Sequence, residues 1–272
     1  MATYNGEKYL REQIDSLFAQ TCQDWHLYVH DDGSSDGTVA ILKEYNEKYH
    51  TRITLMDYPS QGGACKNFLS MLERVEAPYY MFCDQDDVWL QNKIEVSYKR
   101  MEEEEIIHKS SPIVVNTDLT VVDKDMNEIS KSFWNYERIY PKWIIQYEDN
   151  AAIHSVTGCT MLFNDVAKKA MKHPFDLAEM HDIWITLSVH AIGGIISYIE
   201  MPTILYRQHG CNTLGARDAS KITFVDKLLD IANILKINTI HYKQMNFIRN
   251  ISVLDFIKAK IRYKKLILRK NS

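Results

Sequence analysis

The first hundred residues alternate between two hydrophobic periods, and this alternation limits the possible folds more than any other feature. Leu10, Ile14 and Leu17 recur at helical spacing, whereas the apolar run at 25–29 is typical of a buried strand that ends at Asp31. The alternation continues with strands at 53–56 and 79–83, and with helices that begin near Asp36, at Ala64 and after Trp89. Because short connections between such elements favour parallel strand pairs, the pattern predicts an α/β fold with a mostly parallel sheet.

The second half of the chain adds further strands and then becomes helical. Strands are predicted at 112–122, 157–163, 195–201 and 204–206, and a helix is predicted at 181–191. Since no linker rich in proline or glycine interrupts the pattern, we expect one domain over residues 1–218 and a helical extension over residues 219–272. Met1-Ala2-Thr3 has the character of the tail of a first strand, so we also expect the chain to begin several residues late.

Two acid-rich turns follow strands of the predicted sheet. One spans residues 31–38, with the sequence DDGSSDGT, and the other spans residues 84–87, with the sequence DQDD. Strand ends of open α/β sheets bind ligands at one edge, where carboxylates can contact a base or ribose and can hold a divalent cation that bridges phosphates. The sequence has no glycine-rich phosphate loop of the G-x-x-x-x-G-K-[ST] or G-x-G-x-x-G kind. The layout therefore predicts a nucleoside diphosphate site with a metal ion, the alternative being solvated turns and helix caps.

Composition excludes several other classes of protein. The chain is 46% hydrophobic and 25% charged, which is ordinary for a globular protein, and its net charge of -4 argues against nucleic-acid binding. The five cysteines form no C-x-x-C pair, and the sequence shows neither a signal peptide nor an apolar stretch long enough to span a bilayer. We therefore expect a reducing, cytoplasmic location.

The acidic turns belong to a longer series of motifs that resembles glycosyltransferase family 2. The series comprises ATYNG at 2–6, DDGSSDGT at 31–38, QGG at 61–63 with Lys66-Asn67, CDQDDVW at 83–89, His181-Asp182 and YRQHG at 206–210. The resemblance implies a GT-A fold with a Rossmann-like sheet over residues 1–218. It also implies an inverting hexosyl- or deoxyhexosyltransferase that uses a nucleotide-diphosphate sugar and Mg²⁺ or Mn²⁺.

Carried over to this sequence, the resemblance assigns roles to the residues that match its motifs. Asp182 is expected to be the catalytic base, and Asp84 and Asp86 are expected to contact ribose and metal. His209, beside Arg207 after a predicted strand, is a further candidate for the metal shell or the diphosphate. The expected donor site comprises Ala2, Thr3, Tyr4, Asn5, Asp32, Gly33, Ser34, Gly63, Lys66, Asn67, Asp84 and Gln85.

The acceptor side gives weaker signals. Gly158, Cys159, His181 and Trp184 are candidates for contact with a polysaccharide or lipid-linked oligosaccharide of cell-surface glycan biosynthesis. His181-Asp182 followed by an aromatic residue resembles rhamnosyltransferase-like members, which raises dTDP-rhamnose as a donor. Two alternatives stay open: a haloacid-dehalogenase-like phosphatase, with Asp84 as nucleophile and Asp86 as acid, and a sugar-nucleotide-binding domain without catalysis.

The C-terminal segment combines an apolar helical stripe with a basic cluster. Phe247, Ile251, Leu254, Ile257 and Ile261 recur at helical spacing, and seven basic residues with no acidic one lie between 258 and 270. Such a helix can lie in a membrane interface, here at the inner face, with its lysines near anionic headgroups. The alternative is that it packs on its own domain or on a second subunit of a homodimer.

Overall fold

The computed structural model of the chain describes residues 1–210, 215–216 and 231–270, with side chains from residue 237 onward in the last range. The first part of the predicted extension, residues 219–230, therefore lies outside the described residues.

The N-terminal half alternates strands and helices as the sequence predicts. Its elements are β1 (Ala2–Thr3), α1 (Leu10–Phe18), β2 (Leu27–Asp31), α2 (Thr38–Lys48), β3 (Ile53–Leu55), α3 (Ala64–Arg74), β4 (Tyr79–Tyr80), β5 (Val88–Trp89) and α4 (Lys93–Ile107). Helix α1 buries Leu10, Ile14 and Leu17 because residues three and four apart share one face of a helix. Helix α3 begins at the predicted residue, Ala64.

The second half contains longer strands and most of the remaining helices. Its elements are β6 (Ile113–Asp123), β7 (Glu128–Ser130), α5 (Phe133–Glu137), α6 (Tyr147–Ile153), β8 (Leu162–Asn164), α7 (Asp165–Lys169), α8 (His181–Ala191), β9 (Ile195–Gln208), α9 (Ile231–Ile248) and α10 (Val253–Lys270). The predicted strand at 157–163 is wrong in its first part, where Gly158–Thr160 forms a 3₁₀ turn. The two strands predicted between 195 and 206 form the single strand β9, whose pairing with β6 shifts register near Asp118.

The strands form two sheets that differ in direction. Strands β1, β2 and β3 make a parallel three-stranded sheet, as predicted. The larger sheet has the order β4-β8-β6-β9-β5, with β7 beside β6, and only its β6–β9 pair is parallel among the described strands. The predicted α/β class is therefore correct, but the sheet is mixed because β8 and β5 run opposite to their neighbours.

A cleft of about 870 Å³ lies between the two sheets. Apolar side chains such as Leu27, Phe68 and Tyr80 line it, and the N-terminal amine of Met1 donates to the carbonyl of Tyr28 nearby (2.6 Å). Its lining contains none of the aspartates at 31–36 or 84–87. The cleft is thus separate from the acidic turns.

Helices α9 and α10 share a hydrophobic core with the α/β domain. Met245 of α9 and Phe256 of α10 belong to the same buried cluster as Tyr147 of α6 and Trp184 of α8. An ion pair between Arg262 and the buried carboxylate of Asp149 adds a polar contact between α10 and α6. The described part of the extension therefore packs on the domain.

Candidate active site

The end of β2 carries two adjacent aspartates with different surroundings. The carboxylate of Asp31 accepts hydrogen bonds from Thr3 Oγ1 (2.9 Å) and from the N–H and hydroxyl of Ser34 (2.8 and 2.6 Å). Asp32 points instead toward the loop at 60–63. Asp31 therefore builds the turn, together with the predicted site residues Thr3 and Ser34, and Asp32 is the aspartate that a ligand can reach.

Loop donors hold the carboxylate of Asp32. Its Oδ1 accepts from Ser60 Oγ (2.9 Å) and the N–H of Gln61 (2.5 Å), and its Oδ2 accepts from the N–H of Gly63 (2.6 Å). Burial opposes ionisation, but these hydrogen bonds outweigh it and lower the pKa of Asp32. A carboxylate oxygen can accept about two hydrogen bonds. Oδ2 therefore has acceptor capacity left for an N–H group of a base.

The glycines of these turns are required by the backbone. Gly33 has a φ of 92° and Gly63 a φ of 130°, both in a region that residues with a Cβ avoid. Gly63 immediately precedes α3, so its N–H lies at the start of that helix. The exposed side chain of Lys66 lies in the first turn of α3.

Asn67 does not face the donor site, which corrects the assignment made from the motif. It is 1% exposed, and its side-chain amide bonds His30 twice, through Oδ1 to the ring Nδ1 (2.8 Å) and through Nδ2 to the carbonyl (3.1 Å). Asn67 thus connects α3 to the end of β2 by hydrogen bonds on the buried side of the site.

The segment after β1 joins the two acidic turns. The N–H of Tyr4 donates to Gln85 Oε1 and Gln85 Nε2 donates to the carbonyl of Tyr4, both at 2.9 Å. Asn5 Oδ1 accepts from the N–H of Ser35 (2.8 Å). The predicted meeting of the two turns is therefore confirmed, with the Gln85 amide occupied in making the junction. Ala2 precedes this junction on β1 and pairs with His30 of β2.

Carboxylates are crowded in the loop at 84–87. Burial, followed by the charges of Asp86 and Asp182, raises the pKa of Asp84 to about 7. Burial, followed by the charges of Asp86 and Asp84, raises the pKa of Asp87, which is fully buried, well above its ordinary value. Asp87 Oδ1 accepts from the N–H of Arg207 (3.2 Å), and its Oδ2 has no hydrogen-bond partner among the described residues. The negative charges of the loop at 84–87 are therefore not balanced by neighbouring positive charge in the described part of the chain.

Asp86 and His209 meet at the mouth of this loop. His209 Nε2 lies 2.7 Å from Asp86 Oδ2, and the two side chains are 12% and 17% exposed. The ring of Tyr9 packs against that of His209, with centroids 4.9 Å apart. Arg207 Nε donates to the carbonyl of Asp86 (2.9 Å), and its guanidinium also pairs with Glu12.

The donor atoms here fit a hard divalent cation. Ligand atoms of Asp84, Asp87 and Cys159 lie within 4.8 Å of one another, but a thiolate favours softer ions than Mg²⁺ or Mn²⁺. Asp84 and Asp86 with the imidazole of His209 offer the oxygen and nitrogen ligands that Mn²⁺ accepts. A cation at this point would also offset the charges that raise the carboxyl pKa values. The ligand types of these three residues are therefore those that the predicted ion accepts.

Asp182 begins α8 beside the acidic loop. Its Oδ2 accepts from the N–H of Gly158 (2.8 Å) and its Oδ1 from the N–H of Ile183 (2.7 Å). Burial raises its pKa to about 6, although these hydrogen bonds oppose the rise. Its charge in turn raises the pKa of Asp84. Asp182 is thus a buried carboxylate, close to the loop at 84–87, that is ionised at neutral pH.

Two of the predicted acceptor contacts, Trp184 and His181, are buried in the hydrophobic core. Trp184 is fully buried and donates from Nε1 to the carbonyl of Lys172 (2.9 Å). His181 is 3% exposed between the rings of Phe68 and Phe82, and burial lowers its pKa to about 3, so the ring is neutral. Both residues shape the site from the core.

The other two acceptor candidates lie directly behind the carboxylates. A Cβ on Gly158 would lie 2.5 Å from His181 Nε2, so only glycine can bring this N–H to Asp182. Cys159 is 1% exposed, and its Sγ lies beside Asp84 and Asp87. Their role in this geometry is to position acidic groups.

Some residues of the site carry no sequence signal. Tyr9 immediately precedes α1 and contacts His209, and Glu12 lies in α1 and pairs with Arg207. Both contacts join residues that are far apart in the sequence. Lys93 is fully buried beneath the loop, with Nζ 4.4 Å from the centroid of the Trp89 ring, and burial lowers its pKa to about 8. Its positive charge interacts with Cys159 and Asp87, so it partly offsets the negative charge of Asp87.

Comparison with known families and sequences agrees with this geometry. The family described as Glycosyl transferase family 2 matches residues 1–170 of the chain. A dTDP-rhamnosyl transferase, RfbG of Shigella flexneri, is 28% identical over 239 residues, which is 82% of this chain and 76% of that protein. The WfgD protein of Escherichia coli, a UDP-Glc:alpha-D-GlcNAc-diphosphoundecaprenol beta-1,3-glucosyltransferase, is 33% identical over 37% of this chain and 39% of its own length.

Solved structures share the fold. The mannosyltransferase PcManGT of Pyrobaculum calidifontis, solved with GDP-Man and Mn²⁺, aligns with a TM-score of 0.61 at 15% identity, over 98% of this chain and 68% of its own. TarS of S. aureus, residues 1–349 with UDP, aligns with a TM-score of 0.58 at 14% identity, over 97% and 90%. These likenesses confirm the predicted GT-A fold.

Proposed function

The chain belongs to glycosyl transferase family 2, and on that premise we propose that it is an inverting, metal-dependent transferase. It moves a hexose or deoxyhexose from a nucleotide-diphosphate sugar to a hydroxyl of a polysaccharide or lipid-linked oligosaccharide. The position of Asp182 carries the proposal. A buried carboxylate with a pKa of about 6, held by two backbone N–H groups beside the acidic loop, is suited to take a proton from a hydroxyl near neutral pH.

In this proposal, the two acidic turns supply the residues that bind the donor. Asp32 accepts a hydrogen bond from the base, and Asp84 contacts the ribose. Asp86, Asp84 and His209 would hold Mg²⁺ or Mn²⁺, which when bound neutralises the charge that develops on the leaving diphosphate. Asp182 removes the proton of the acceptor hydroxyl as that oxygen attacks the anomeric carbon from the face opposite the diphosphate, so the configuration inverts.

The donor that we propose is dTDP-rhamnose, because the dTDP-rhamnosyl transferase matches most of this chain. Calorimetric titration with dTDP, UDP and GDP, each with Mn²⁺, tests this choice. We expect dTDP to bind most tightly and dTDP-rhamnose to be hydrolysed slowly without an acceptor. Tighter binding of UDP or GDP would contradict the proposed donor but not the proposed transferase activity. If none of the three nucleotides bound, the proposed transferase activity would be overturned.

The same assays address the alternatives. Family membership leaves no support for a haloacid-dehalogenase-like phosphatase. A domain that binds nucleotide sugars without catalysis would bind the donor, yet neither hydrolyse it nor transfer its sugar.

Helix α10 supports a peripheral contact with membranes. Phe256, Ala259 and Tyr263 are buried against the domain. Exposed apolar side chains on the same helix are Val253, Leu254, Ile257, Ile261 and Leu268. Within the described ranges, no helix is both long and apolar enough to cross a bilayer.

The exposed stripe of α10 lies beside basic residues, as in helices that lie in a lipid interface. We propose that this face contacts anionic lipid, where a lipid-linked acceptor is also found. Replacing Lys264, Lys265, Arg269 and Lys270 by glutamate should release the protein from vesicles that contain anionic lipid. The matched control reverses Lys43, Lys48, Lys99 and Lys109, which are exposed elsewhere. Equal sedimentation of both variants with vesicles would exclude this face.

A further inference from the structure

A cluster of polar side chains near Asp182 has hydrogen-bonding groups without partners. The cluster comprises Glu179, His154, His241 and Gln244, which we call the Glu179 cluster. His241 Nε2 lies 2.7 Å from Glu179 Oε2, and the rings of His241 and His154 meet edge to face with centroids 4.4 Å apart. Gln244 is fully buried, and its Oε1 accepts from the N–H of Glu179 (3.2 Å).

The unpartnered atoms are nitrogens of three side chains. Both ring nitrogens of His154, Nδ1 of His241 and Nε2 of Gln244 are buried without a hydrogen-bond partner in the described part of the chain. A buried polar group without a partner is costly, and each such group in a folded protein calls for a ligand or ordered water. Four such atoms in one cluster therefore mark a place that binds a polar molecule.

The chemistry of the cluster suits a hydroxyl group. His241 Nε2 faces Glu179, so Nδ1 of the same ring is left for another hydrogen-bond partner. Gln244 Nε2 is a donor, and it lies three residues further along α9 on the same face of the helix. A ring nitrogen and an amide donor side by side match a hydroxyl, which both donates and accepts. The side chain of Glu179 is 27% exposed, so the cluster reaches the protein surface at this residue.

Two short segments connect the cluster to the proposed base. Glu179 precedes Asp182 by three residues, which limits their Cα separation to about 11 Å, and its charge raises the pKa of Asp182. His154 precedes Gly158, whose N–H holds Asp182 Oδ2. The cluster therefore lies close to the proposed base.

We propose that the Glu179 cluster is a subsite for the acceptor, binding hydroxyl groups of the sugar unit at or next to the one that is glycosylated. This inference rests on the proposed transferase function and adds a role for α9, which supplies His241 and Gln244 from the C-terminal extension. The donor site lies on other elements and does not use these residues.

The test separates acceptor binding from donor binding. The variants His241→Phe and Gln244→Met keep side-chain volume while removing the hydrogen-bonding groups. His190→Phe is the matched control, because His190 also has a buried, unpartnered Nδ1 and packs edge to face on Tyr147, but lies eight residues beyond Asp182 on α8, about 12 Å along the helix. Glu179→Gln provides a partly exposed variant that should fold even if a buried substitution does not.

Methyl glycosides of glucose, N-acetylglucosamine and rhamnose serve as probes in saturation-transfer NMR, with nucleotide and Mn²⁺ present. We expect at least one glycoside to receive saturation from the wild type and from His190→Phe. Its affinity should fall about three- to tenfold in each folded cluster variant, the size of one hydrogen bond. Nucleotide affinity should be equal in all proteins.

Equal glycoside signals in the wild type and the cluster variants would overturn the subsite, and so would failure of all three glycosides to bind a wild type that binds nucleotide. A wild type that binds no nucleotide would instead overturn the proposed function itself.

Discussion

Replacing Asp182 by asparagine should make the protein more stable and much less active. A base that is buried to raise its pKa is held in an unfavourable charged state at neutral pH, so removing the charge relieves the folded protein. The same change removes the group that accepts the proton of the acceptor hydroxyl. A purely structural Asp182, acting as a helix cap, would instead leave activity and lower stability when replaced.

The size of the stability effect follows from the pKa of Asp182 and its hydrogen bonds. A pKa of about 6 in the folded state, against an ordinary 3.8, makes ionised Asp182 cost about 3 kcal/mol above pH 7. Asparagine turns an N–H₂ group toward the N–H of either Gly158 or Ile183 and loses one hydrogen bond, worth about 1 kcal/mol. The variant should therefore be about 2 kcal/mol more stable at pH 8.

The raised pKa also determines how the stability difference between the variant and the wild type changes with pH. Because the folded-state pKa is raised, the carboxyl favours folding only while it is protonated, below about pH 4, and that advantage is lost as pH rises through 6. The stability gained by Asp182→Asn should thus be larger at pH 8 than at pH 5, by about 1 kcal/mol. Wild-type transfer should likewise fall below pH 6 as the base becomes protonated.

Urea unfolding at pH 5 and pH 8 with a chelator measures the first effect, and transfer rates over the same range measure the second. Asp182→Asn should transfer about 10²- to 10⁴-fold more slowly, with unchanged nucleotide affinity and without the decline below pH 6. A variant that is less stable at pH 8, or that retains near-normal transfer, would refute the assignment of Asp182 as a buried base.

Three further predictions concern the donor side, each measured by calorimetric titration with nucleotide. Asp86→Ala should abolish the Mn²⁺-dependent part of nucleotide binding, because the ion loses a charged ligand; affinity unchanged by chelator in the wild type would contradict this. His209→Ala should weaken the same binding less than Asp86→Ala, because imidazole is a neutral ligand, and an equal or larger loss would be inconsistent with that order. Asp32→Ala should weaken nucleotide binding by about 1–3 kcal/mol, the value of a hydrogen bond to a charged group, and unchanged affinity would place the base elsewhere.

The sequence predicts best what local spacing determines. Helix α8 has the predicted bounds, and helix α3 begins at the predicted residue. The apolar residues predicted for α1 share one face of that helix. The acidic turns lie together as predicted, since glycines and cap-forming residues mark the ends of their strands. These signals need no knowledge of distant contacts.

Predictions that depend on distant contacts were less reliable. Strand β8 pairs antiparallel with β4 and β6, and its short apolar sequence carries no sign of direction. Asn67 matches a donor-site motif, yet its amide is bound to His30, 37 residues away. Asp31 and Asp32 are adjacent and chemically identical, and only the hydrogen bonds made in the fold distinguish the residue that builds the turn from the one that faces the loop at 60–63.

The C-terminal helices show how a segment without any motif can still determine the geometry of the site. Trp184, two residues after Asp182 on α8, stacks on Phe247 of α9, with ring centroids 5.9 Å apart. Tyr147 of α6 donates its hydroxyl proton to the carbonyl of Met245 (2.7 Å), and α6 leads through His154 to the N–H of Gly158 that holds Asp182. Both supports of the proposed base therefore rest on α9, so changes in the extension should alter the position of Asp182 before they alter the donor site.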